Sequence, residues 1–201
     1  MNITTQEQLR KLYKWPEGRA GRKVIFELEK HCKNFISKSP FLVMSTTDRE
    51  GKMDASPRGG APGFVHVLNN NTLIIPDSKG NNRVDSLVNI VETGKVGMLF
   101  LLPGIEETLR INGSAEISAN KDIIDLFPNE KNRPISCIII TVEEAFLHCA
   151  KALIRAKLWS VDYVVSKKDF PSMGKMLNDQ LGTNNAIETY EEMVARYDPD
   201  L

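Results

Sequence analysis

Between Phe41 and Val142 the chain breaks into short runs rich in apolar and β-branched residues, joined by tight turns. That succession limits the fold more than any other feature. Phe41–Thr47 is the first run. Asp48-Arg49-Glu50-Gly51 follows as a turn with glycine where positive φ is expected, and Met53–Pro57 resumes as strand. Gly63–Leu68 and Thr72–Pro76 flank Asn69-Asn70-Asn71, a hairpin signal. Lys95–Leu102 turns through Pro103-Gly104-Ile105-Glu106-Glu107 into Thr108–Ser118, and Ser136–Val142 closes the series. Only short helical pieces lie between the runs, so strand and helix do not alternate as in a parallel doubly wound sheet. The pattern predicts a mainly β protein with peripheral helices, built on about six antiparallel strands curled into a barrel.

The helices are expected at the margins. Ile25, Leu28, Cys32, Phe35 and Ile36 recur at helical spacing from about Arg22, and Ser39-Pro40 ends that helix. Residues 1–21 form a polar lead-in expected to pack through Leu12, Tyr13 and Trp15. Arg83–Val91 places Val84, Leu87, Val88 and Val91 together. Asn120 caps a helix running to Phe127, which Pro128 stops. Cys149–Leu158 is basic and amphipathic, and the tail from Ser172 holds two helices split near Gly182-Thr183. No repeat or linker interrupts the chain. The expectation is one domain over residues 1–201, with a helical lead-in (1–40) and a helical tail (170–201).

Composition narrows the function. Formal net charge is +0, against the basic excess of a non-specific nucleic-acid binder. The N-terminus has neither a basic start nor an apolar run, and no apolar stretch approaches the roughly 20 residues of a membrane span. Cys32, Cys137 and Cys149 are odd in number and lack CxxC spacing, which fits reduced thiols in a cytoplasmic protein. His31-Cys32 and His148-Cys149 are neighbours in sequence, and adjacent side chains diverge too far to share one metal ion.

Pro76-Asp77-Ser78-Lys79-Gly80-Asn81-Asn82-Arg83 is the main candidate site. It joins a strand to a helix N-terminus, where free backbone N–H groups favour anions. Lys79 and Arg83 add two cations, Ser78, Asn81 and Asn82 neutral donors, and Gly80 room for close approach. A solvated polar loop would have the same composition. Ser56-Pro57-Arg58-Gly59-Gly60 sets an arginine past a strand, ready for a ligand or for a plain surface turn. In Thr108–Gly113, alternation puts Thr108, Arg110 and Asn112 on one face, which suits the mouth of a site or solvent. Lys151, Arg155, Lys157 and Trp159 form a basic helix with a trailing indole that could cover a flat ring or pack on the core.

In this order the segments resemble the pyridoxamine 5′-phosphate oxidase-like family of FMN-binding split barrels, in the branch of unassigned substrate. The resemblance spans roughly Phe41 to Trp159, and its last motif is Phe146-Leu147-His148-Cys149-Ala150-Lys151-Ala152-Leu153. It implies a six-stranded antiparallel split barrel that dimerises, with FMN at the subunit interface. It implies Arg58, Lys79 and Arg83 on the phosphate, with Ser56, Asp77, Ser78 and Asn82 completing the cofactor-binding set. Thr108 and Arg110 would lie near the flavin ring or phosphate, and Lys157 and Trp159 would come from the partner chain. The family's arginine- and tryptophan-bearing substrate segment has no counterpart in the tail, which is acidic at Glu188, Glu191 and Glu192. The implied function is an FMN-dependent oxidoreductase acting on an unidentified small substrate. A flavin or haem carrier, or a redox sensor, is the alternative, with His66 or His148 as a haem ligand; on either reading the sequence leaves FMN and the related deazaflavin F420 both open, with the short loops favouring FMN.

Overall fold

The computed structural model of the chain describes residues 2–128 and 133–200. In chain order the elements are α1 (Gln6–Tyr13), α2 (Gly18–Arg22), α3 (Lys30–Lys38), β1 (Phe41–Thr47), β2 (Met53–Gly59), β3 (His66–Val67), β4 (Thr72–Asp77), α4 (Asp85–Thr93), β5 (Lys95–Leu101), β6 (Thr108–Ser118), α5 (Lys121–Ile124), β7 (Ser136–His148), α6 (Lys151–Ala156), α7 (Met173–Leu181) and α8 (Tyr190–Tyr197).

The seven strands form one antiparallel sheet in the order β2-β1-β5-β6-β7-β4-β3. Among the described residues the expected six strands are therefore seven, the extra one being the two-residue β3 paired to β4. The strands at the two ends of this order are not hydrogen-bonded to each other, so the sheet stays open along one seam.

The inward face is apolar by simple alternation. Leu42 and Met44 of β1, Met98 and Phe100 of β5, Leu109 and Ile111 of β6, Ile138 and Ile140 of β7, and Leu73 and Ile75 of β4 form one buried cluster. Cys32, Phe35 and Ile36 of α3 and Ile90 of α4 join it. No helix among the described residues is long and apolar enough to cross a membrane.

Several elements differ from their sequence patterns. The first core helix starts at Lys30, not near Arg22. Residues before it give their backbone bonds to the sheet: Ile25 exchanges N–H···O bonds of 3.0 and 2.8 Å with Ala145, and Leu28 N donates to Asn70 O at 2.7 Å. The Glu29 carboxylate then caps α3, accepting from His31 N and Cys32 N at 2.8 and 2.9 Å. The lead-in does not pack as expected, since Leu12, Tyr13 and Trp15 are 66, 74 and 69% exposed. The Arg10 guanidinium instead covers the Trp15 ring at 4.1 Å.

β7 runs on to His148, beyond the expected Val142. Glu143 and Glu144 break the apolar run there, but pairing to β6 continues past a register shift between Asn112 and Gly113. Gly113 is required at that bulge, because a Cβ would lie 2.0 Å from Thr141 O. α4 begins two residues later than its pattern, after Asn82 (φ 62°) and Val84 (φ 46°) take left-handed backbone. That rotates Ser86 and Ile90 inward and leaves Val84, Val88 and Val91 exposed.

Candidate functional site

The site grows from the alternation of β2. Register with β1 sets Asp54, Ser56 and Arg58 opposite Thr46, Met44 and Leu42, residues of the buried face. Thus the edge strand turns an acid, a hydroxyl and a base inward, where its neighbours turn apolar groups. Across the open seam, β4 ends its inward series Leu73, Ile75 with Asp77. Arg58 Nη1 donates to Asp77 Oδ1 there, joining the edge strand β2 to β4, the strand next to the other end of the sheet order.

A cleft of about 490 Å³ opens over this pair, within the usual size of a ligand site. Its walls are β2, the end of β4, residues 78–84, the first turn of α4, and Ile135 with Ser136. Seven sequence candidates, Ser56, Arg58, Asp77, Ser78, Lys79, Asn82 and Arg83, line it. Lys79 and Arg83 are exposed on the rim. The Arg83 guanidinium meets Asp85 at 2.8 Å, and Arg83 N donates to Asn81 Oδ1 at 3.1 Å. A Cβ on Gly80 would meet nothing within 4 Å, so the chain itself does not need glycine there. Val84, a β-branched residue in left-handed backbone, puts local strain into the loop that enters α4.

Two residues of the cleft escaped the sequence reading. Ser86 Oγ donates to Asp54 Oδ2 at 2.5 Å, fixing the start of α4 to β2. Asn89 Nδ2 donates to Thr46 Oγ1 at 3.0 Å and Thr93 Oγ1 to Thr47 O at 2.9 Å, so β1 holds the rest of the helix. The i, i+2 spacing of Asp54, Ser56 and Arg58 was the available signal.

The cleft walls carry three basic side chains, Arg58, Lys79 and Arg83, and three acidic ones, Asp54, Asp77 and Asp85. Arg58 Nε is buried and has no hydrogen-bond partner; among the described residues it is the single side-chain polar atom so placed. A buried unpaired donor on a cation invites an anion. The arrangement fits a phosphate group, with Arg58 at the base and Lys79 and Arg83 at the rim.

The remaining candidates lie elsewhere. Arg110 is on the opposite face of the sheet, in register with Leu99 and Phe146. It borders a second depression of about 310 Å³ with Ser45, Gly97 and Asn112. Its guanidinium is 5.5 Å from the Phe146 ring, and Lys23 Nζ is 4.9 Å from the same ring. Thr108 is buried beside His148. Burial depresses the His148 pKa, and the Lys23 and Arg110 charges add to the effect. Lys157 pairs with Asp162 at 3.2 Å, and Trp159 Nε1 donates to Ile105 O at 2.9 Å; neither borders the cleft of its own chain. Among the described residues no three His, Cys, Asp or Glu side chains gather as a metal site would require.

The family model described as pyridoxamine 5′-phosphate oxidase matches residues 28–149. The chain belongs to the pyridoxamine 5′-phosphate oxidase family. That span contains the whole sheet and every wall of the cleft. HupZ from Group A Streptococcus is similar at 19% identity, with 60% of this chain and 93% of that chain covered and a TM-score of 0.51. A point variant of HupZ gives the same identity and score over 98% of its length. An FMN-binding protein from Syntrophomonas wolfei is 15% identical over 58% of this chain and 87% of that one, with a TM-score of 0.41. No curated protein matches the chain. The HupZ likeness speaks for the oxidase-family fold, an open antiparallel sheet with helices around it.

Proposed function

We propose that the chain is an FMN-binding oxidoreductase that acts on a small substrate, with the flavin phosphate held in the cleft at the barrel seam. The observation that carries this is Arg58, whose buried Nε has no partner and whose guanidinium sits below Lys79 and Arg83. Arg58 would take two phosphate oxygens side-on, and the two rim cations would balance the remaining charge. Ser56, Ser78 and Asn82 would donate to what remains of the phosphate and the ribityl chain. Bound FMN would supply the electron transfer; this chain's part is to position it and to keep its phosphate from exchanging with water.

Family resemblance implies a homodimer with FMN between subunits, and the sheet geometry gives this a physical basis. Arg58 faces the core side and Arg110 the outer side, so one small ligand cannot touch both within a single chain. The outer face around Arg110 has the half-buried Ser45, Gly97, Leu99 and Phe146, a surface suited to a second copy. Arg110, Lys157 and Trp159 would then reach the partner's flavin. A cytoplasmic setting fits the free thiols.

Absorbance of the purified protein, followed by FMN and riboflavin titrations, tests the reading. FMN should bind at least tenfold more tightly than riboflavin, and Arg58→Ala or Lys79→Ala should remove that preference. Equal binding of both flavins, or of neither, would sink it. Rapid reduction of bound flavin by NADH or NADPH under stopped flow would distinguish an oxidoreductase from a carrier.

A further inference from the structure

We propose that the lead-in helix α1 docks into the groove between α7 and α8 of a second copy of this chain, so that two copies exchange their N-terminal segments. The proposal goes beyond the flavin reading and uses no residue of the cleft.

Each half of the contact is an apolar surface that its own chain leaves open. Leu9, Leu12 and Tyr13 fall at i, i+3 and i+4 on α1, along one face of the helix. No residue of α1 is buried. The helix is nonetheless well terminated: Thr5 and Gln8 close a capping box at its start, and Lys14 N donates to Arg10 O at 2.9 Å at its end. The tail forms the other half. Phe170, Met173, Leu177, Tyr190, Met193 and Tyr197 line a groove of about 800 Å³. Bonds within the tail hold that groove in shape. Asn178 Nδ2 donates to Asn185 O at 2.8 Å, and Arg196 Nε to Glu188 Oε2 at 3.1 Å. Lys167 Nζ lies 3.4 Å from the centre of the Tyr190 ring. Large apolar groups gathered on a surface mark an interaction site. A helix face with anchors at this spacing is what a groove of this kind receives.

Charge selects the occupant. Residues 2–22 carry five basic and two acidic side chains, whereas residues 172–200 carry two basic and six acidic ones. Arg10 and Lys11 lie in the last turn of α1, Glu191 and Glu192 in the first turn of α8. Lead-in and tail therefore attract, while two lead-ins or two tails repel. Among the described residues, every wall of the groove comes from residues 165–197, so the chain's own α1 does not fill it. A second copy supplies the missing helix. Reciprocal exchange is a closed twofold arrangement: it fills both grooves and leaves neither α1 face over.

Two full-length chains test this, each with Cys149→Ser so that the exposed thiol is gone while Cys32 and Cys137 stay buried. One carries Gln6→Cys, a turn before Leu9; the other carries Gln180→Cys, a turn after Leu177. Co-expressed and treated with a bis-maleimide, they should give a linked pair joining position 6 to position 180, read by peptide mass spectrometry. Leu12→Asp with Tyr13→Asp, or Lys11→Glu with Lys14→Glu, should each lower that yield by about tenfold. All four side chains are exposed, so the fold is not at stake. Absence of the linked pair, or a yield that either double substitution leaves unchanged, overturns the proposal. Linking found only inside a single chain that carries both cysteines also overturns it, by folding the lead-in onto its own tail. The link is read independently of any dimer made through the sheet. Linked pairs without FMN binding would leave the exchange standing and remove the flavin reading; FMN binding without linked pairs would do the reverse.

Discussion

The Ser86 hydroxyl donates to the Asp54 carboxylate at 2.5 Å, so the first turn of α4 hangs from the edge strand β2. Ser86 is 3% exposed and Asp54 lines the cleft. Removing the hydroxyl leaves a partly buried carboxylate short of a donor, which costs about 1–3 kcal/mol. Ser86→Ala should lower urea stability by that amount. Because the bond also sets the loop carrying Lys79 and Arg83, FMN affinity should fall more than stability alone explains. Titration under conditions where the variant is fully folded separates the two effects.

Gly113 is a second fixed point. A methyl group there would fall 2.0 Å from Thr141 O, a backbone atom that cannot move aside cheaply. Gly113→Ala should destabilise by about 3 kcal/mol, seen as a lower denaturation midpoint. If it proved neutral, the bulge would have to relax into a different register, and amide exchange along β6 and β7 would reveal that.

The three thiols should behave differently. Burial pushes the Cys32 thiol up to about 11, with the Glu29 carboxylate adding to the shift, and burial also raises Cys137, with Asp77 contributing. Cys149 is exposed. A chromogenic disulfide at pH 8 should therefore titrate one thiol in native protein and three after denaturation. Cys149→Ser should abolish the native signal. Because the folded pKa of Cys32 is raised above the unfolded one, its stabilising share is full below about pH 8.5 and is lost as pH rises toward 11.

His148 should act at the other end of the range. Burial first, then Lys23 and Arg110, lower its pKa below 6.5 in the folded chain. A depressed folded value means the unfolded chain binds the proton more readily. Its contribution to stability is present above about pH 6.5 and is lost as pH falls through the folded pKa. Imidazole titration by NMR should give a midpoint under 6.5, and Arg110→Ala should raise it only in part, since burial remains.

How far the sequence discloses this molecule depends on the range of each interaction. β-Strand alternation is local, so Phe41–Thr47, Thr72–Pro76 and Lys95–Leu102 read correctly to within a residue. The start of α3 did not, because Ile25 and Leu28 are held by Ala145 and Asn70, far along the chain. The seven clustered site residues were visible because two short segments carry them. Their common cleft was visible only through the resemblance, since a seam between strands far apart in the sheet order has no local signature. Asp54 escaped because Pro57 and Gly59-Gly60 end the strand pattern before Arg58, which hides the face that Asp54, Ser56 and Arg58 share along Met53–Gly59. Ser86 escaped because Asn82 and Val84 delay the helix, and periodicity alone selected the wrong face.

The even match of basic and acidic groups around the cleft also bears on how a ligand arrives. Opposed charges a few ångströms apart cancel within about one Debye length, roughly 8 Å in physiological salt. A chain with net charge +0 adds no net charge to pull an anion from a distance. On the proposed reading, a phosphorylated ligand would reach the seam by largely unguided diffusion, with an association rate nearly indifferent to ionic strength. Selectivity would then fall on the dissociation step, after the ligand has met Arg58.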